Sequence, residues 1–184
     1  MPNSTDWLFT SLTPATESEI PTRKYPVPKP HVYPNVPTFR TTAEVDTAIA
    51  DILAHPEKMN ERGWYNFRWC YKGYYFYAGI KLGCTYDCKC LDAVIRTIPE
   101  AFDLAFKYLT NDVTGWWENE ITLDEIMRQM VIGNLDPPIE TNQKRRWGAI
   151  EFSLPDDIFG GHCVMVDCDL EGSRIRWFHP ALVG

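Results

Sequence analysis

Nine aromatic residues crowd the fourteen positions from Trp64 to Tyr77, WYNFRWCYKGYYFY. Their alternation about Lys72-Gly73 has a period of two, which sends successive side chains to opposite faces of a pleated strand. The segment therefore predicts an antiparallel hairpin with Lys72 and Gly73 in the turn, although lysine is not the preferred first residue of so tight a turn. In that register Tyr71 faces Tyr74, Trp69 faces Phe76 and Phe67 faces Ala78 on one face. Arg68 and Tyr77 pair on the other, where a guanidinium can sit over a ring. Aromatic packing into a core, rather than a sugar- or peptide-binding platform, is the expectation for the first face.

The remaining segments supply the other layers. Eight of the fourteen prolines lie within the first 37 residues, and YPVPKPHVYPNVP spaces them too closely for a helix or a central strand. Residues 1–40 are thus expected to be an extended arm, mobile or laid along the surface. A domain over residues 41–184 follows. Thr41 and Glu44 form a capping-box pattern for a helix through about Leu53, ended by His55-Pro56. Leu91, Val94, Ile95 and Ile98 recur at helical spacing. Thr97 and Glu100, around Pro99, open a further helix to about Leu109, and Thr122 with Glu125 opens one to about Ile132, with Gly133 as its stop. Asp136-Pro137-Pro138 reads as a loop, and 146–153, 161–168 and 174–179 read as strands. The expectation is one α+β domain, helices packed on an antiparallel sheet.

A net charge of −7 and the absence of any basic run argue against nucleic acid or an anionic membrane as the main partner. No segment approaches the roughly 18 apolar residues of a spanning helix. The start, MPNSTDWLFTSLTPA, lacks the basic and apolar regions of a cleavable signal, so the expected compartment is the cytoplasm, with signal-independent delivery open. Six cysteines are sparse for a disulfide scaffold and are expected to be mostly reduced.

The chemistry-bearing residues concentrate in two places. Of four histidines, His31 falls in the arm and His55 beside a proline at a helix end, which leaves His162 and His179. An even-numbered loop between the last two strands, four residues over 169–172 or two at Glu171-Gly172, places both histidines at one end of the inward face with Val164, Val166, Ile175 and Trp177. An odd loop separates them. Asp167 and Asp169 fall on the opposite face. Cys88 stands at a predicted helix start, on the stripe of Leu91 and Ile95. A helix N-terminus lowers a thiol pKa. Cysteine at a helix start with histidine on a strand is the arrangement of papain: Cys88 as nucleophile, His162 as general base and acid, His179 as the orienting group. Cys90 is a second candidate nucleophile.

Two stretches, about a quarter of the chain, carry a family resemblance. FYAGIKLGCTYDCKCLDAVIRTI resembles the nucleophile segment of NlpC-type cell-wall amidases, with Tyr77, Gly79, Asp87 and Cys88 at the matching positions. GGHCVMVDCDLEGSRIRWFHP is similar to the histidine hairpin of papain-fold toxins and effector proteases at Gly161, His162, Trp177, Phe178 and Pro180. The resemblance implies a papain-like fold and a cysteine amidase or peptidase that cleaves a peptide or peptidoglycan-type amide without a cofactor. The chain departs from the pattern at His179, where effector proteases carry aspartate, at Leu82, where papain-like peptidases carry an oxyanion-hole glutamine, and at Lys89-Cys90. Two other readings stand beside it. Cys84, Cys88 and Cys90 with His162 and His179 could form a zinc shell. The chain could also be a non-enzymatic protein-binding domain of immunity, inhibitor or phage accessory type, with its cysteines and histidines in structural roles.

Overall fold

The aromatic hairpin forms with the expected register. In the computed structural model, which describes residues 23–83, 88–111, 122–140, 145–154, 161–171 and 174–184, β2 (Trp64–Tyr71) pairs antiparallel with β3 (Tyr74–Lys81). Tyr71 opposes Tyr74, Trp69 opposes Phe76 and Phe67 opposes Ala78. Lys72 and Gly73 both take positive φ, +51° and +81°, as a type I′ turn requires. Trp69, Phe76 and Ala78 are buried. On the other face the Arg68 guanidinium lies 5.6 Å from the Tyr77 ring centre.

A seven-stranded mixed sheet is built outward from this hairpin. Its order is β1-β2-β3-β4-β7-β8-β9, with β1 (Thr38–Phe39), β4 (Val131–Asp136), β7 (Gly148–Ser153), β8 (Cys163–Glu171) and β9 (Arg174–Val183). Two short strands, β5 (Ile139–Glu140) and β6 (Arg145–Arg146), pair separately. The α+β class is as expected, but the sheet is not purely antiparallel. β1 runs parallel to β2, and β3 runs parallel to β4. Three helices, α1 (Thr42–Ala54), α2 (Leu91–Asn111) and α3 (Leu123–Gln129), contribute buried residues to one core with the inward sheet residues. The helices therefore cover one face of the sheet.

Both outer capping boxes form as the sequence implies: Glu44 N–H donates to Thr41 Oγ1 and Glu125 N–H to Thr122 Oγ1, each at 3.3 Å. The Thr97–Glu100 pattern does not open a helix. Instead α2 runs unbroken through Pro99, and Thr97 Oγ1 bonds back to the Ala93 carbonyl at 2.9 Å. Burial of Val94, Ile98, Ala101, Phe102 and Ala105 on one stripe outweighs the missing proline N–H. The helix expected to reach Ile132 ends at Gln129, and Val131–Asp136 is a strand. Ile132 and Leu135 are fully buried there in the sheet, between β3 and β7. Gly133, expected as a helix stop, lies in that strand, where a Cβ would sit 2.9 Å from a Glu151 carboxylate oxygen.

From Arg23 onward the proline-rich arm is part of the domain. Arg23 makes a two-pronged bridge to Asp103 at 2.7 and 2.8 Å, and Tyr25 bonds Asp124 and packs on Phe106. His31 N–H donates to the Ile132 carbonyl at 2.7 Å, and Ile132 N–H donates to the Lys29 carbonyl at 2.9 Å. The arm then crosses the sheet face opposite α1–α3: the Arg68 guanidinium lies 4.3 Å from the Tyr33 ring centre, and that ring stands edge-on to Tyr75. It ends as β1. Among the described residues no helix is long and apolar enough to cross a membrane.

Candidate functional site

Cys88 begins a 3-10 turn that leads into α2, and it is 0 % exposed in the core. Helical spacing with Leu91 turned it inward as expected, but a fully enclosed thiol presents no nucleophile to a substrate. His162 is half-buried just before β8, and a Cβ on the terminal Gly184 would lie 2.8 Å from its ring.

Landmarks along α2 fix the spacing between these two residues. Trp177 Nε1–H donates to Thr97 Oγ1 at 2.9 Å, and Leu182 N–H donates to Tyr108 Oη at 3.2 Å. Eleven helical residues span about 16 Å and five strand residues about 17 Å, so α2 lies alongside β9 in the same direction. Its start is therefore at the turn end of the β8–β9 hairpin. There the Cys90 thiol acts on the Cys168 thiol and approaches the Pro138 carbonyl at 4.0 Å. His162 lies at the other end, six residues from Cys168 along an extended strand, which is roughly 20 Å. The Cys88–His162 pair expected from sequence is not assembled.

His179 is displaced for a different reason. The loop is even, since Glu171 opposes Arg174, and inward parity holds for Cys168, Ile175 and Trp177. Val166, however, opposes Pro180 while Asp167 opposes Phe178. His179 is the extra residue of a β-bulge, exposed, at φ +46°. It stands 5.3 Å from the Phe178 ring and acts electrostatically on Asp167, on the face away from the helices. It does not orient His162. Counting residues could not reveal the bulge, although a proline in an edge strand is a place where one is common.

Two thiols of β8 disfavour the thiolate. Burial, reinforced by Glu151, pushes the Cys163 thiol up to about 11, and burial pushes Cys168 further up. Cys84 and Asp87, named above in the zinc shell and the amidase motif, and Gly172 of the loop lie outside the described residues. Among the described residues no three of His, Cys, Asp and Glu are grouped to hold a metal ion.

What the structure does bring together is a surface on the sheet face opposite α1–α3. The arm, through Tyr33, covers the β2–β3 part of that face. Toward β7–β9, Trp147 is 54 % exposed and meets Phe178 edge-on, with ring centres 5.2 Å apart and planes at 89°. Asp136, Ala149, Asp167 and Phe178 form one row across β4, β7, β8 and β9. Burial holds the Asp167 carboxyl above its ordinary value, with His179 pulling the other way. Sequence reasoning placed Asp167 on this face but did not single out Trp147, whose signal was a large ring at a strand boundary with an alternating strand after it. No protein-family model, curated protein or solved structure matches the chain.

Proposed function

We propose that this chain is a non-enzymatic binding domain whose partner is another protein, of the kind that small inhibitor and immunity domains represent. The observation that carries this reading is Trp147. Tryptophan is the residue type most concentrated at interface hot spots, and this one is braced by Phe178 on an open sheet face. The cysteine amidase reading lacks geometric support, because its nucleophile is sealed in the core at the α2 start, toward the opposite end of β8 from its base. The papain-like description of the α+β fold then rests on the resemblance of the two sequence segments alone.

Two measurements test the proposal. Alkylation at neutral pH should leave Cys88 unmodified in the folded protein and label it after denaturation. Rapid stoichiometric labelling that disappears in Cys88→Ala would restore the enzyme reading. A photo-crosslinking residue in place of Trp147 should trap a protein partner. With that partner purified, Trp147→Ala should raise Kd about tenfold or more, as loss of a hot-spot aromatic does. Unchanged affinity would remove this face from the interaction.

A further inference from the structure

A single joint connects the docked part of the arm, residues 23–33, to β1. The connection reads Tyr33-Pro34-Asn35-Val36-Pro37. Pro34 and Pro37 have φ fixed at about −65°, and Tyr33 and Val36, each preceding a proline, are biased to extended conformations. Asn35 is the one position left to choose. Its φ is +62°, and it follows Pro34 in a turn, the pattern of a type II reversal. Asparagine tolerates the left-handed region better than most residues with a Cβ, yet the conformation is still strained. Pro34 and Asn35 are exposed, and among the described residues no backbone hydrogen bond joins 32–36 to the sheet. The reversal is therefore held by the docked arm on one side and β1 on the other.

The dock itself does not use that connection. Arg23 bridges Asp103, Lys24 stands 3.5 Å from Asp124, Lys29 and His31 bracket Ile132, and Tyr33 meets Arg68 and Tyr75. Among the described residues no hydrogen bond, ion pair or ring contact joins residues 23–33 to 34–40 or to α1. The arm of a second copy can therefore make the same bonds. Charge favours the fit, since residues 23–33 carry Arg23, Lys24 and Lys29 and no acidic residue, in a chain of net charge −7. At Ile132 the arm takes the place of a strand. β3 pairs with β4 at Phe76 and Leu135, and three residues earlier on β4 Pro30 bridges Ile132 in parallel. An arm that leaves its own body thus opens a gap in the sheet that another arm can fill. With Asn35 extended, the stretch from 33 to 37 runs straight for about 12 Å and carries the arm outward.

We propose that the arm up to Tyr33 exchanges between two copies of the chain, with Asn35 as the hinge, to give a closed twofold dimer in which each arm completes the other copy's sheet at Ile132. The exchanged form keeps the arm contacts and releases the strain of both turns, while dilution favours the monomer. The test uses the full chain, refolded from denaturant at low and at high concentration, with mass read by light scattering after size exclusion. Dimer should form at the high concentration. Asn35→Gly, which removes the strain of the turn, should lower the dimerisation constant about fivefold or more. Asn35→Val, whose β-branched side chain resists positive φ, should raise it. Refolding Arg23→Asp together with Asp103→Arg should give a dimer with one chain of each kind, in greater yield than either variant gives by itself, because both ion pairs match only in an exchanged pair. Asn35→Gly and this mixed pair keep the test decisive should Asn35→Val fail to fold. Monomer at every concentration, in the unaltered chain and in Asn35→Val alike, overturns the proposal. So does a dimer that ignores residue 35 and disappears in Trp147→Ala, since it would assemble through the open sheet face.

Discussion

His179 shows how a single residue can carry a sheet-protecting role that resembles chemistry. β9 is an edge strand, and an unpaired edge invites association with another chain. The bulge at His179, the missing N–H of Pro180, the exposed Arg174 and Arg176, and the Tyr108 hydroxyl on Leu182 N–H together blunt that edge. A non-glycine residue in the left-handed region costs about 1–2 kcal/mol, so His179→Gly should stabilise the fold by roughly 0.5–1 kcal/mol, read as a higher urea midpoint. Had His179 been an orienting group in a catalytic site, its local strain would instead be functional. Thr97 is the opposite case. Its hydroxyl accepts from the Trp177 indole while it donates back to its own helix. Thr97→Val keeps the shape and removes the acceptor, which should cost about 1–2 kcal/mol in the same assay.

Elements here are set by their ends where polar chemistry is local, and by burial where it is not. The capping boxes of α1 and α3 were legible because each needs only a Thr and a Glu three residues apart. Backbone N–H groups hold the Glu44 and Glu125 carboxyls below their ordinary value, with Arg40 N–H and Thr122 N–H the leading donors. A depressed folded pKa gives stability that is complete above about pH 4.5, the usual glutamate value, and is lost as the pH falls through the folded value. Glu44→Gln should therefore flatten the acid limb of a stability-versus-pH curve below about pH 4.5. Thr41→Ala should cost about 1 kcal/mol at neutral pH. The Thr97–Glu100 pattern was identical in sequence and yet lies inside α2, because a buried stripe on both sides of Pro99 holds the helix together. Pro99→Ala, which would give the Ile95 carbonyl back its partner, should raise thermal stability by about 1–3 kcal/mol.

At the scale of the whole molecule, what could be read from sequence was whatever repeats with a short period. The β2–β3 register and the paired strands at the C-terminal end followed from alternation, and Cys88 was correctly turned inward. The Cys88–His162 separation was not legible, because parity gives the face of a residue and says nothing of its height along a strand. Nor was β4, whose VIGNLD is too short to distinguish strand from helix and is defined by its neighbours on the sheet. The arm depends in the same way on partners distant in sequence. Residues 29–31 complete the backbone bonding of Ile132, Pro37 accepts from Cys70 N–H, and Tyr33 roofs Arg68. A chain that begins at Thr41 would leave Ile132 N–H and Cys70 N–H in the sheet without these acceptors and would uncover the guanidinium. Each unpaired backbone group at such a site costs about 1–3 kcal/mol, against a total stability of about 5–15 kcal/mol for a domain. Removal of residues 1–40 should thus lower the melting temperature by more than 10 °C. In hydrogen exchange the Ile132 and Cys70 amides should lose protection by at least tenfold, while the Val166 amide, in the β7–β9 part of the sheet, should retain most of its own. Unchanged exchange at Ile132 would show that the arm is laid on the sheet without being one of its working parts.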